Sequence, residues 1–235
     1  MREIFQRQGF FIKEDILSAE QIDELTFIIE NSASVKSVNA SFRRSAGLFA
    51  IRKILLEIPG ILDLLKQTGL FQFIENSFGK DYFIVKSIYF NKPAASNWFV
   101  AWHQDLTISV KEKADIDGFG PWTVKPGQFA VQPPLSILED NFTVRLHLDN
   151  TTVQNGALKV VPGSHRKGIY RTGDKNWSSE NEVICEVPAG GMMLMKPLLL
   201  HSSSRSTNNQ QRRVIHIEFS RQTLPAPLRW SEMIE

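Results

Sequence analysis

Over the first eighty residues the apolar positions recur at helical spacing. Ile22, Leu25, Ile28 and Ile29 fall three and four apart behind Ser18, and Gln21 stands three residues after that serine. This is the arrangement of a capping box opening an amphipathic helix. "SAGLFAIRKILLEI" (45–58) predicts a second helix. Pro59 suits the first turn of a third that ends at Gly69, and "LFQFIENSFG" predicts a fourth that ends at Gly79.

Beyond residue 80 the period shortens to two. "DYFIVKSIYFNK" is β-branched and aromatic and stops at Pro93. In "FTVRLHLDN", Val144, Leu146 and Leu148 share one face while Arg145, His147 and Asp149 share the other. "GALKVVPGS", "EVICEVP", "MMLMKPLLLHSS" and "RRVIHIEFS" complete a set of short strands broken by Gly and Pro. The expectation is a mostly β (α+β) chain, with a two-sheet sandwich or barrel and helices packed outside it. Without an internal repeat or low-complexity linker, residues 1–235 read as one domain. It has a mainly helical part (1–80), a strand core (81–220) and a C-terminal extension (221–235). Thr107 to Leu138, rich in Gly and Pro, reads as a long functional loop.

A hydrophobic content of 42% supports a full core. The 27 basic and 25 acidic residues nearly cancel to +2, and no block of like charges marks a nucleic-acid partner. Cys185 is the one cysteine, which excludes an intrachain disulfide and a zinc site built on several cysteines. No apolar run approaches the ~18 residues of a membrane helix, and the N-terminus lacks a signal-peptide pattern. A cytoplasmic protein acting on a small molecule is expected. No residue pattern decides an oligomeric state.

The chemistry gathers in "AWHQDLTISV". His103 and Asp105 are two apart, so an extended backbone points both to one side. An imidazole and a carboxylate on one face are two members of the facial triad that holds non-haem Fe(II), and another histidine must supply the third. His201, closing the apolar run "GGMMLMKPLLL", is the best placed of the five histidines. Arg212 follows eleven residues later, across the polar segment "SSSRSTNNQ". A hairpin there would set it beside His201, where a buried guanidinium needs an anionic partner such as a dicarboxylate cosubstrate.

These residues resemble the phytanoyl-CoA dioxygenase family of Fe(II)/2-oxoglutarate oxygenases. The matching segments are "WHQD" (102–105), "VRLHLDNTTVQNGALKVVPGSHRKG" (144–168), "GGMMLMKPLLLHSSSRSTNNQQRR" (190–213) and the opening "GFFIKEDILSAEQID". The resemblance implies a double-stranded β-helix, or jelly roll, with the N-terminal helices on its major sheet. It implies that His103, Asp105 and His201 bind iron and that Arg212, helped by Ser203, holds the distal carboxylate of 2-oxoglutarate. Arg52, taken as helical, and Arg145 are further cosubstrate candidates. Relatives that halogenate replace the ligand carboxylate with a small residue. Asp105 therefore implies hydroxylation, with O₂ consumed and succinate and CO₂ released.

Trp122, Gln132 and Arg166 are candidates for substrate contact, and Arg166, Lys167 and Arg171 form a basic cluster. Trp98 and Trp102 are expected to brace the metal strand, His216 to be a satisfied interior histidine and His165 a turn residue. The long loop would close over substrate as a lid. The alternative is a non-oxygenating jelly-roll metalloprotein, either a cupin-like isomerase or a degenerate 2-oxoglutarate sensor. A buried Arg212 speaks against it.

Overall fold

The computed structural model describes the chain apart from residues 36–41, 46–47, 94–98, 126 and 171–180, with the backbone alone at 33–35, 42–45 and 48–49. Trp98 and Arg171 thus lie outside the described residues. The chain opens with α1 (Arg2–Gln8), β1 (Phe10–Lys13) and α2 (Ala19–Val35). The capping box at α2 forms as expected: the Ser18 N–H donates to Gln21 Oε1 at 3.0 Å, and the Gln21 N–H to Ser18 Oγ at 3.3 Å.

The stretch expected as a second helix instead holds β2 (Phe42–Ser45), β3 (Leu48–Arg52) and the short α3 (Ile54–Glu57). A sheet edge overrides the local helical pattern there: β3 pairs with β4 (Phe83–Lys92), Ile51 opposite Tyr89 and Arg52 opposite Ile88. Arg52 accordingly ends a strand. The third and fourth expected helices are α4 (Pro59–Lys66) and α5 (Leu70–Phe78), both preceding β4.

The chain continues through β5 (Val100–His103), β6 (Ile108–Val110), β7 (Trp122–Lys125), β8 (Gln128–Val131), α6 (Leu135–Asp140) and β9 (Phe142–His147). It closes with β10 (Leu158–Val160), β11 (Val183–Cys185), β12 (Met192–Met195), β13 (His201–Ser203) and β14 (Arg212–Ser220). Among the described residues, one sheet runs β1-β12-β9-β14-β4-β3-β2, a second β11-β10-β13-β5, and a third β6-β8-β7. From β4 onward the chain passes back and forth between the first two sheets, the winding of a double-stranded β-helix. The 107–138 stretch is therefore no loose lid: its strands form the third sheet, whose Ile108, Val110 and Val131 pack against Val85, Leu198 and Trp230.

The run "MMLMKPLLLHSS" also divides. β12 belongs to the large sheet and β13 to the small one, with Pro197 in the crossing, where its missing N–H ends the ladder. Outside the large sheet lies the main core. There Phe142 stacks on Phe78 at 4.3 Å and on Phe219 at 5.0 Å, fastening α5 to β9 and β14.

Candidate metal centre

Strand pairing brings the three candidate ligands together. β13 runs antiparallel to β5 with His201 opposite His103, and their rings lie 4.2 Å apart. Asp105 stands two residues beyond β5, its N–H donated to the Pro197 carbonyl in the crossing between β12 and β13. Its carboxylate oxygens are 3.8 Å from His103 Nε2 and 3.8 Å from His201 Nε2. One ligand atom from each residue falls within 4.8 Å of the others.

Both rings are turned the same way. His103 Nδ1 donates to the Ala101 carbonyl at 2.8 Å, and His201 Nδ1 to the Leu199 carbonyl at 2.8 Å. With Nδ1 protonated, each Nε2 presents a lone pair toward Asp105, as a metal-binding imidazole requires. Burial pushes the His201 imidazole down to about 4, keeping it neutral at physiological pH. Burial alone would raise the Asp105 carboxyl, but His201, Lys86, His216 and His103 outweigh it and hold it down at about 2. Two imidazoles turned the same way and a carboxylate, with ligand atoms all within reach of one point, fit Fe(II).

Gln104 points away from the triad and pins its frame. Its amide N–H groups reach the carbonyls of Gly168 (2.9 Å) and Leu198 (2.7 Å), and its oxygen accepts from Tyr170 N–H (2.8 Å). A polar residue between two candidate ligands was the sequence signal for it, and sequence reasoning passed over it.

Facing the triad from the large sheet is a row of buried polar side chains: Lys92, Arg145, His147, Arg212, His216 and Glu218. Arg212 does not lie beside His201 in a hairpin as expected. β14 pairs with β4 and β9, while β13 pairs with β10 and β5, so Arg212 reaches inward from the opposite sheet. The connection after Ser203 crosses between sheets, and Lys92 Nζ holds the Ser204 carbonyl at 2.7 Å on the way. Arg212 Nη1 donates to the Gly156 carbonyl. Gly156 adopts φ +85°, and a Cβ on it would stand 2.7 Å from the Ser204 carbonyl oxygen, so backbone conformation and close approach both require glycine.

Arg145 Nη1 donates to His216 Nδ1 at 3.2 Å, which leaves His216 Nε2–H to donate to Glu218 at 3.0 Å. Lys86 completes the chain to the same carboxylate oxygen at 2.6 Å. The satisfied interior role expected of His216 is what this chain shows. Among the described residues neither Arg145 nor Arg212 has a carboxylate within ion-pair reach. Burial pushes Arg145 down to about 10. Burial and then Arg145 push Arg212 down to about 9, and burial and then Arg212 push Lys92 down to about 8. Lys92 and Glu218 were missed in the sequence, although the period that places Arg212 and His216 inward also places Glu218 there.

Ser203, two residues after His201, is buried on β13. Arg52 lines a separate cavity of about 340 Å³ with Lys86 and Thr107, between β4 and the third sheet. Trp122 packs into the core under that sheet, and the backbone of Gln132 bonds Gly120 and Pro121. Arg166 is exposed at another cavity, beside Lys196 and His165. Trp122, Gln132 and Arg166 are not gathered into one place.

Residues 5–214 match the family model described as phytanoyl-CoA dioxygenase (PhyH). An ectoine dioxygenase from Nocardia farcinica (strain IFM 10152) is 27% identical over 172 residues, 69% of this chain and 49% of that protein. The chain thus spans about half the length of this curated relative. Among solved structures, the apo form of the non-heme monooxygenase ThoJ superposes with a TM-score of 0.72 at 18% identity, covering 98% of this chain and 79% of that one. EctD from S. alaskensis, with 2-oxoglutarate and 5-hydroxyectoine, gives 0.70 at 21% identity, covering 93% and 74%. EvdO2 from Micromonospora carbonacea var. aurantiaca, complexed with 2-oxoglutarate, gives 0.67 at 18% identity, covering 98% and 95%.

Proposed function

The chain belongs to the phytanoyl-CoA dioxygenase (PhyH) family, and from that premise we propose that it is an Fe(II)- and 2-oxoglutarate-dependent dioxygenase. In one domain it would hydroxylate a small molecule, consuming O₂ and releasing succinate and CO₂. His103, Asp105 and His201 would hold the iron. When bound, iron supplies the O₂ and 2-oxo acid chemistry at positions that three protein ligands leave open.

The protein's own side chains then orient and neutralise. The Ala101 and Leu199 carbonyls keep both Nε2 atoms turned to the metal, and Asp105 stays ionised. Arg212 takes the distal carboxylate of 2-oxoglutarate, with the Ser203 hydroxyl beside it and Arg145, held by His216, adding a second cation. Arg52 is a more remote candidate for the cosubstrate, and Trp122, Gln132 and Arg166 are candidates for the substrate. The intact Asp105 favours hydroxylation over halogenation. The curated relative is named for ectoine, and a small polar substrate is the matching expectation here. A cytoplasmic location belongs to the same proposal and rests on the lone, buried Cys185.

One observation carries the proposal. Within electrostatic reach of the triad lies buried Arg145, with buried Arg212 next to it; among the described residues neither guanidinium has a carboxylate in ion-pair contact, and a buried cation left so is costly until an anion meets it. A jelly roll that only binds metal has no use for them. The test is anaerobic loading with Fe(II), then addition of 2-oxoglutarate and O₂ while succinate is measured. Succinate should form in the wild-type chain and not in Asp105→Ala. Iron binding without 2-oxoglutarate consumption, across a panel of polar metabolites, would return the protein to the non-oxygenating class.

A further inference from the structure

His147 lies in the same interior row, with one ring nitrogen committed and the other open. Nδ1 is 2.6 Å from Thr151 Oγ1, while Nε2 is buried and, among the described residues, without a partner. The same holds for Arg145 Nε and Arg212 Nε. Strand register brings the three together: Arg145 is two residues before His147 on β9, and Arg212 is two residues before Val214, the cross-strand partner of His147. All three side chains are more than nine-tenths buried. A buried nitrogen left without a partner is costly until a ligand meets it, and guanidinium N–H groups select an anion.

We propose that His147 is a further donor to the distal carboxylate of 2-oxoglutarate, presenting Nε2–H beside Arg212, with Thr151 setting its tautomer. This rests on the cosubstrate assignment made above. The Thr151 hydroxyl lies 3.5 Å from the Asp149 carbonyl, a stretched contact that it can give up. With the site empty, two neighbouring guanidiniums favour a bare Nε2, and Thr151 accepts from Nδ1–H. With an anion bound, the hydroxyl turns to donate to Nδ1, and the ring proton moves to Nε2. One hydroxyl, both donor and acceptor, serves either state.

The test uses two 2-oxo acids on the Fe(II)-loaded chain, titrated anaerobically by calorimetry. 2-Oxoglutarate carries the distal carboxylate; 2-oxopentanoate has the same head and lacks it. In His147→Phe, 2-oxoglutarate should bind about tenfold to a hundredfold more weakly, the range for one lost hydrogen bond to a charged group. Affinity for 2-oxopentanoate and for Fe(II) should hold. His147→Gln, which restores an N–H at similar reach, should recover most of the loss. Nitrogen NMR of the wild-type ring should show Nε2 gaining its proton when 2-oxoglutarate is added. Equal 2-oxoglutarate affinity in His147→Phe and wild type, or a parallel loss for both acids, overturns the proposal. Wild-type protein that binds the two acids equally well defeats the cosubstrate assignment itself, a separate result.

Discussion

β14 shows two chemistries on one backbone. Ile215, Ile217 and Phe219 point outward into the helix-covered core, while Arg212, His216 and Glu218 point to the opposite face, and all six are buried. β9 repeats the division, with Val144 and Leu146 outward and Arg145 and His147 inward. Burial alone therefore does not tell fold from function. The outer face is stabilised by apolar area, about 25 cal/mol per Å² removed from water. The inner face holds polar groups that are partly unsatisfied, which a stability-driven sequence would replace. Groups kept at that cost mark where a ligand completes the structure.

The largest separation of the two faces comes from Asp105→Ala. Iron binding and succinate formation should collapse by more than the ~10–100-fold typical of groups that merely orient a metal ligand. The metal-free chain should still fold, with its melting temperature lowered by no more than the contribution of the ionised carboxylate. A variant that still binds iron stoichiometrically would remove Asp105 from the centre. Phe142→Ala probes the other face. Loss of its stacking on Phe78 and Phe219 should cost about 3–5 kcal/mol by urea unfolding, with iron stoichiometry unchanged in the folded fraction. If that variant keeps its stability, the aromatic stack is not what holds α5 to the sheet.

Much of this division is legible in the sequence. The period of two in "FTVRLHLDN" and "RRVIHIEFS" assigns both faces from the amino acids alone, because a strand alternates whatever it packs against. His103 and Asp105 stand out for the same reason. What escapes is set by partners distant in the chain. β3 forms because β4 offers an edge, overriding a helical pattern at 45–58. The crossing at Pro197 splits an apolar run that reads as one strand, and it moves His201 and Arg212 onto facing sheets. The open nitrogen of His147 becomes visible only once Thr151 is seen to occupy the other.

Arg212→Met sharpens the comparison, because fold and function should move separately. Methionine removes a buried cation that, among the described residues, has no carboxylate partner, so metal-free stability should change by less than about 1 kcal/mol or rise. Affinity for 2-oxoglutarate should fall about tenfold to a hundredfold by titration. A large stability loss without any change in binding would make Arg212 a structural residue.

The gentlest probe is pH, since the inner row carries titratable groups that the outer face of the same strands lacks. Burial holds His147 and His216 in that row, and His201 facing it, below the ordinary histidine value, His201 to about 4. An unfolded chain takes up protons near pH 6.5 that the folded, metal-free protein refuses. Stability must therefore fall as pH drops below about 6.5, and His201 contributes until about pH 4. Each such histidine adds at most about 1.4 kcal/mol per pH unit. Asp105, held at about 2, withdraws its own contribution only below the ordinary carboxylate value of 3.8. Thermal melts of the metal-free chain from pH 7.5 to 4.5 should show this decline. His201→Asn should flatten it, and Phe142→Ala should lower the whole curve in parallel. A slope that follows Phe142 and ignores His201 would mean that the titrating groups sit elsewhere than the inner row.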